Sequence, residues 1–280
     1  MSRPLMRSGF TMLELLLALV VGSVLIASVF GVMINSSKEF RSQRETVDVR
    51  ETLRGGATLL SGELRNASAS RGDLLAISPE SLAVRSFQST GAVCGTSTKR
   101  YGISGAAGTF GSGADDSMLV SRTSGTTWNK AKVTAVWTNP GSPYVASCAA
   151  WTGTPVPPMV IELAANVAGA DTLGVGVGSV VRGYRKTVYK LVSSSGRWWL
   201  ARRVGAAGTY DIVTGPLLAS GAAGGLAFAY YDAAGNVTAN PAAVARVTIT
   251  LRAESTRNGP VGATISRRRD SLRATTTLRN

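Results

Sequence analysis

The feature that most constrains this chain is an apolar run near its start. Residues 10–34 are twenty-five consecutive positions at which the only charged side chain is Glu14. A helix of this length extends about 37 Å, which is enough to cross a hydrocarbon core of about 30 Å. Residues 1–9 carry Arg3 and Arg7 and no acid, and basic residues on this flank favour a cytoplasmic N-terminus. The sequence therefore predicts one membrane-spanning helix, with the rest of the chain on the far side.

Two ordinary explanations account for this run less well. A secretory signal peptide usually has an apolar core of about 7–15 residues, whereas the run here is longer and contains a carboxylate. A simple single-pass anchor leaves Glu14 unexplained, because an ionisable group within an apolar span is costly and is by default a functional hypothesis. Glu14 therefore points to a further task for this helix.

The residues at the start of the run form a specific motif. After the basic leader, the sequence over residues 9–14 reads Gly-Phe-Thr-Met-Leu-Glu and continues into the apolar run. This motif resembles the class III signal of type IV prepilins and of the pseudopilins of type II secretion. The resemblance implies that prepilin peptidase cuts the bond between Gly9 and Phe10, and that the new N-terminal Phe10 is N-methylated. It also places Glu14 at the position of the glutamate that this family carries.

Elementary electrostatics supports a role for this glutamate. Cleavage after Gly9 would create an α-amino group on Phe10, about one helical turn from Glu14. A carboxylate in a low-dielectric setting is tolerated when it is paired, and this amine is the obvious partner, from the same chain or from a neighbouring copy. The alternative is that Glu14 lies at the headgroup boundary. Pairing between copies would fix the stagger of the helices in a filament.

The helical pattern continues beyond the apolar run. Between residues 38 and 66, apolar residues recur with a period near 3.5 and charged residues fill the other positions. The recurring residues are Phe40, Val47, Leu53, Ala57, Leu60 and Leu64. We therefore predict one helix over about residues 10–66, whose second half lays this stripe on a globular domain. Gly31 and the pair Gly55-Gly56 are candidate sites of bending or melting, or small packing residues.

The remainder of the chain has the pattern of a β-rich domain. Predicted strands cover residues 82–87, 117–122, 132–137, 159–163, 186–192, 197–203, 226–231, 244–252 and 273–278. Residues 88–116, with seven Gly, and residues 138–158, with five of the ten Pro, predict long loops. The predicted fold is α+β and pilin-like, with a membrane-spanning helix packed at its outer half on a mostly antiparallel β-sheet domain. Its parts are the leader (1–9), the transmembrane helix (10–34), the amphipathic half of the helix (35–66) and the head (67–280).

Weaker similarities extend into the head. Residues 43–66, the hairpin at residues 186–203, the strand at residues 228–232 and the last residues 277–280 are similar to PilW-type minor pilins and J-type pseudopilins. The resemblance implies a structural role as a minor pilin in the tip complex that primes a type IV pilus. It implies the bacterial inner membrane, with the head in the periplasm, and then the pilus as locations. Its partners would be prepilin peptidase and other minor and major pilins. A J-type pseudopilin of type II secretion is the alternative.

The chain has two cysteines, Cys94 and Cys148. The predicted orientation places both beyond the membrane, in an oxidising compartment where two lone thiols usually pair. We therefore predict a disulfide between them. The alternative is two separate buried thiols that behave as small hydrophobes.

The composition argues against an enzyme, a cofactor site or a metal site. The chain contains no histidine, which excludes Ser-His-Asp and Cys-His nucleophile systems and every zinc site that needs imidazole. The pair Asp115-Asp116 could ligate calcium, but such a pair more often solvates a turn.

The positive charge raises a different possibility. The chain has a formal net charge of +14, and residues 182–203 include seven basic and no acidic side chains. The seven are Arg182, Arg185, Lys186, Lys190, Arg197, Arg202 and Arg203. Tyr184, Tyr189, Trp198 and Trp199 are interleaved with them, which suits phosphate contacts and base stacking by a DNA-binding minor pilin of an uptake pilus. The favoured alternative is a solvated strand face, because charge alone indicates non-specific attraction.

Overall fold

The computed structural model describes residues 11–97, 99–113, 116–121, 128–138, 148–149, 159–164, 175–221, 223–261 and 264–279. Within these residues there are one α-helix, α1 (Met12–Asn66), one 3-10 turn (Pro241–Ala243) and twelve strands. The strands are β1 Leu74–Ile77, β2 Ser81–Ser97, β3 Arg100–Gly108, β4 Ser117–Ser121, β5 Trp128–Thr138, β6 Met159–Leu163, β7 Val180–Ser194, β8 Arg197–Val204, β9 Asp211–Leu217, β10 Leu226–Tyr231, β11 Arg246–Val261 and β12 Thr264–Thr277. Gly9, Phe10, Asp115 and most of the predicted loop at residues 138–158 lie outside the described residues.

The chain divides into two compact units. The first comprises Met1–Arg50 together with Ser255–Arg268, and the second comprises Glu51–Glu254 together with Arg269–Asn280. Both α1 and the hairpin of β11 and β12 therefore contribute residues to each unit.

In the first unit, one arginine attaches the hairpin of β11 and β12 to α1. The Arg268 guanidinium donates to Thr46 Oγ1 from Nη1 at 2.6 Å and to Ser42 Oγ from Nη2 at 3.3 Å. Ser42 and Thr46 are four residues apart and therefore lie on the same helix face. The backbone N–H of Arg268 donates to Ser255 Oγ at 3.0 Å, which ties the two strands together at this level.

In the second unit, the last turns of α1 pack on an antiparallel sheet. Its strand order is β1-β2-β7-β8-β9-β11-β10, and β12 also pairs with β11. The buried helix residues share one face: Leu53, Ala57, Leu60 and Leu64. The predicted stripe is wrong at its start, because Phe40 and Val47 are exposed. Among the predicted residues, burial begins at Leu53, and one turn earlier Val49, which the predicted stripe did not include, is also buried.

A glycine allows α1 to approach the sheet closely. A Cβ atom at Gly56 would lie 2.9 Å from Leu251 Cδ1 and 3.2 Å from Thr214 Cγ2, whereas a Cβ at Gly55 would meet nothing within 4 Å. The helix is continuous through both residues, and also through Gly31. None of the three glycines breaks it, and Gly56 is a packing residue.

Six strands of the head close into a small antiparallel barrel. Each pairs with the next in the order β2-β3-β6-β5-β4-β7, and β7 pairs back to β2. A cluster of buried side chains fills it: Val93, Tyr101, Ile103, Phe110, Met118, Val120, Ala131, Val133, Ile161, Leu163 and Val181. Because β2 and β7 are long, the barrel and the helix-facing sheet share these two strands.

The predicted loop at residues 88–116 is wrong, because most of this segment forms the second half of β2 and all of β3. Glycine is depleted in strands in general, so seven glycines gave the appearance of a loop. In the barrel, glycine provides space. A Cβ at Gly91, one of the seven, would clash with Ile103, and a Cβ at Gly183 of β7 would meet Ser89 Oγ and lie 2.7 Å from Phe110. Three register shifts bend β2 along its length.

Most other predicted strands are confirmed. Residues 159–163 and 226–231 form β6 and β10, and β7 and β8 form the predicted hairpin. Ser195 and Gly196 form the turn of that hairpin, with φ values of 52° and 72°. Positive φ values at both turn residues give the turn a twist that matches the twist of the paired strands. β11 and β12 are longer than predicted, and β1 and β9 were not predicted. The α+β fold, with a long N-terminal helix packed on a large antiparallel sheet, is confirmed.

The disulfide between Cys94 and Cys148 is present, with 4.9 Å between the two Cα atoms. Cys94 lies in β2, and both cysteines are buried. The bond attaches the short described stretch at residues 148–149 to a strand of the barrel.

Candidate functional site

The part of α1 that precedes residue 35 exposes apolar side chains in every direction. Large hydrophobic residues from Met12 to Ile34 are at least half exposed, and Met12 reaches 84%. Exposed apolar surface of this extent requires a membrane or other proteins to cover it. By length and composition, this is the one helix in the described part of the chain that could cross a membrane.

The two serine hydroxyls in this segment are satisfied within the helix. Ser23 Oγ donates to the Val20 carbonyl at 2.8 Å, and Ser28 Oγ donates to the Leu25 carbonyl at 2.7 Å. A hydroxyl that bonds its own helix adds no unpaired donor in hydrocarbon. Ser23 and Ser28 are therefore compatible with an apolar environment.

Glu14 lies in the first turn of α1. Its backbone N–H donates to the Thr11 carbonyl at 3.1 Å and to Thr11 Oγ1 at 3.4 Å, so Thr11 caps the helix. A carboxylate in the first turn interacts favourably with the positive end of the helix dipole. The Glu14 side chain is exposed and remains accessible to a second group.

The comparisons with known proteins concern this same segment. Residues 5–30 match the family model described as the prokaryotic N-terminal methylation motif. The match supports a type IV pilin-like protein. It covers only the N-terminal part of the chain, and no curated protein and no solved structure matches the chain.

The methylation motif has direct consequences for processing and location. It supports processing of this chain by prepilin peptidase and its assembly with other pilins. Together with the apolar helix, it also supports anchoring of the chain in a membrane, with a C-terminal domain outside the membrane. Proteins with this motif are structural subunits rather than enzymes. In the described residues, no three His, Cys, Asp or Glu side chains cluster as metal ligands would.

The seven candidate cations for DNA contact divide between two faces of the head. Alternation along β7 places Arg182, Lys186 and Lys190 on one face, and cross-strand pairing with Val188 and Ser194 adds Arg203 and Arg197 to it. Arg185 and Arg202 point to the opposite face. Five of the seven candidates therefore share a surface.

Aromatic rings from other parts of the chain lie under three of these five cations. The Arg182 guanidinium is 4.8 Å from the Trp128 ring centroid. Lys190 Nζ and the Arg203 guanidinium lie 4.4 Å and 4.8 Å from the centroid of Tyr210. The sequence pattern missed Trp128 and Tyr210, because pairing across β4 and a loop before β9 bring them to this face.

On the opposite face, Arg185 pairs with Asp116. Arg185 Nε lies 3.4 Å from Asp116 Oδ2, and the Asp116 side chain is 2% exposed. The backbone N–H groups of Gly113 and Lys186 donate to its two carboxylate oxygens at 2.9 Å and 3.3 Å. Asp116 is therefore a buried structural carboxylate and does not solvate a turn.

Arg202 lies beside a buried tyrosine. It pairs across the strands with Tyr189, whose side chain is fully buried. Burial raises the pKa of Tyr189, the Glu63 carboxylate on α1 raises it further, and the Arg202 guanidinium partly opposes this. Burial likewise raises the pKa of Tyr230, whose hydroxyl donates to the Ser78 carbonyl at 3.1 Å. Both phenols are held neutral on the helix side of the sheet.

Proposed function

We propose that this protein is a minor pilin that enters a type IV pilus after removal of its leader, in the complex that primes assembly at the tip. The observation that carries the proposal is a helix with exposed apolar side chains on all sides and a capped, accessible Glu14 in its first turn. The match to the methylation motif over residues 5–30 supports it.

Processing follows from the same residues. Prepilin peptidase would cut between Gly9 and Phe10, and Phe10 would carry the methylated amine. Glu14 would then pair with the amine of a neighbouring copy, since both groups need a partner once water is excluded. Pairing within one chain satisfies the charges equally well but would not set the stagger between subunits.

Two glutamates on one helix provide the test. Glu14→Gln should be cleaved and inserted in the membrane, but should be absent from sheared pili because the neighbouring amine loses its counter-charge. Glu39→Gln, at an exposed position of α1 beyond the apolar run, should enter pili normally. Immunoblots of membrane and pilus fractions, with the N-terminus read by mass spectrometry, measure both. Normal incorporation of Glu14→Gln, or a mature chain that begins at Met1, would overturn the proposal.

A J-type pseudopilin would use the same membrane chemistry. Deletion of the gene distinguishes the two assignments, because loss of surface pili with intact secretion supports the minor pilin. Loss of secretion with intact pili would assign the chain to the secretion system instead.

A DNA-binding role is a second candidate, favoured by the shared face of Arg182, Lys186, Lys190, Arg197 and Arg203. The full chain in neutral detergent should then bind duplex DNA, with an affinity that falls steeply as salt is raised. Replacing Arg182 and Lys190 together with Gln should weaken binding, whereas Arg54→Gln on α1 should not. Absence of binding at low salt would remove this role and leave the assignment as a pilin intact.

A further inference from the structure

We propose that the outer face of the barrel binds single-stranded DNA more tightly than duplex DNA, by stacking bases on aromatic rings that lie among cations. The side chains that form this face are called the platform below. They are Phe87 of β2, Trp128, Lys130 and Lys132 of β5, and Arg182 and Tyr184 of β7. The proposal rests on the DNA-binding candidate above and deepens it, because it states which form of DNA the surface recognises.

The pairing of β2 with β7 places the first three side chains together. Phe87 is directly opposite Tyr184, and directly opposite residues of paired strands lie on the same face. Arg182 is two residues from Tyr184 and therefore shares this face. Val181, between them in alternation, belongs to the barrel core. These three side chains therefore point away from the core.

The pairing of β7 with β4 and of β4 with β5 extends the same face. Leu119 of β4 is opposite Arg182 on one side and opposite Lys130 on the other. Trp128 and Lys132 are each two residues from Lys130, and the pairing of β4 with β5 is regular from Trp128 to Lys132. All six side chains of the platform therefore lie on one surface of four neighbouring strands.

The rings of the platform are accessible. Phe87 is 48% exposed and Trp128 is 37% exposed. Phe87 and Tyr184 meet edge to face, with 5.9 Å between their centroids, so this contact covers a face of at most one of the two rings. A single strand offers its base faces for stacking on such rings, whereas a duplex keeps its bases in its own stack. The rings therefore favour the single strand.

One arginine of the platform joins a ring to a phosphate-binding group. The Arg182 guanidinium lies over the Trp128 ring, 4.8 Å from its centroid. A guanidinium holds its N–H donors in its own plane, so contact with a ring leaves them directed outward, where they suit phosphate oxygens. A base and its phosphate can thus be bound by adjacent groups.

The two lysines add positive charge beside Trp128. Lys130 Nζ donates to the Arg71 carbonyl at 2.8 Å and lies 3.5 Å from Asp73 Oδ1, whereas Lys132 is exposed. Burial lowers the pKa of Lys130 and the Arg85 guanidinium lowers it further, while Asp73 partly opposes this. A phosphate at this place would stabilise the charged ammonium. The charge of the platform therefore complements a nucleic-acid backbone.

Fluorescence anisotropy of the full, processed chain in neutral detergent tests the preference. The probes are a dye-labelled oligothymidine of about 20 nucleotides and a labelled duplex of the same length. At the same moderate salt concentration, the single strand should bind at least about fivefold more tightly than the duplex, because stacking adds to the phosphate contacts.

The two tryptophans of β5 provide a matched pair of variants. Trp128→Leu should weaken binding of oligothymidine at least about fivefold and change the affinity for the duplex little. Trp137, at the other end of β5, is also exposed and also lies under an arginine, Arg100, at 5.2 Å. Arg100 is paired with Glu162 at 2.8 Å, and Trp137 is outside the platform. Trp137→Leu should therefore preserve the preference.

Two further variants separate stacking from charge. Phe87→Leu should reduce the preference for the single strand, since a ring is lost while an apolar side chain is kept. Lys132→Gln should weaken binding of both forms of DNA and reduce the slope of affinity against salt by about one. Circular dichroism of all variants checks that each is folded.

Equal affinity for the two forms, or tighter binding of the duplex, would overturn the proposal and leave the DNA-binding candidate in place. Equal losses in Trp128→Leu and Trp137→Leu would also overturn it. So would competition by inorganic polyphosphate as strong as that by oligothymidine at the same phosphate concentration, because polyphosphate has no bases. If neither form of DNA bound at low salt, this proposal and the DNA-binding candidate would both fail. The assignment as a pilin rests on other residues and would be unaffected.

Discussion

The helix-facing sheet and the six-stranded barrel share β2 and β7 but bury their apolar residues in different ways. In the sheet, one face is covered by the stripe of α1 that begins at Leu53. In the barrel, the strands close on themselves and enclose their own core. β7 serves both, since Val181 belongs to the barrel core and Tyr189 lies on the helix side of the sheet. The sheet therefore depends on the helix for its core, whereas the barrel does not.

The largest expected effect tests the independence of the barrel. Replacing Cys94 and Cys148 together with Ser opens a loop with a sequence separation of 54 residues. In the chain-entropy model this costs about 4 kcal/mol in the free energy of unfolding. Hydrogen exchange should accelerate in β3 and β6 of the barrel and remain slow in β10 and β11. Equal acceleration in all four strands would show that the two regions unfold as one.

The converse change weakens the sheet and leaves the barrel intact. Leu60 is fully buried on the stripe of α1, and Leu60→Ala should lower the free energy of unfolding by about 3 kcal/mol through the cavity it creates. Exchange should then accelerate in β10 and β11 and stay slow in β3 and β6. Thr58→Ala, on the exposed face of the same turn, is the control and should have little effect.

A smaller effect sharpens the geometry of helix packing. Gly56→Ala places a methyl group 2.9 Å from Leu251, and overpacking of this kind should cost about 2 kcal/mol. Gly55→Ala meets nothing within 4 Å and should stabilise the helix by up to about 1 kcal/mol. Urea titration of the full chain in detergent measures both. If the two variants had the same stability, α1 would not approach Leu251 as closely at Gly56 as the structure shows.

The smallest expected effect depends on pH and concerns the sheet. The folded state holds the proton of Tyr189 more tightly than the unfolded chain, in which tyrosine has a pKa of about 10. Stability is therefore unaffected below about pH 10 and falls above it, by about 1 kcal/mol at pH 10.5 for this residue. Tyr189→Phe should flatten the decline between pH 9 and pH 10.5. An unchanged slope would mean that Tyr189 does not contribute.

The sequence pattern alone predicted the elements that depend on residues close together in the chain. The apolar run from residue 10, the stripe from Leu53 and the hairpin around Ser195-Gly196 follow from spacing and turn chemistry between near neighbours. The pairing of Cys94 with Cys148 followed from the presence of two cysteines in an oxidising compartment. The match at residues 5–30 likewise rests on a short contiguous segment.

Tertiary structure decided the features that depend on residues far apart in sequence. Glycine has a low strand propensity, so the glycine-rich segment did not predict strands. Those strands are explained only by the closed barrel, which needs the space that Gly91 and Gly183 leave. The seven cations that are clustered in the sequence are divided between two faces of the sheet, because alternate residues of a strand point to opposite faces. Arg268 reached Ser42 and Thr46 across more than two hundred residues. No local pattern encodes such a contact, because its two sides meet only after the hairpin and the helix have formed.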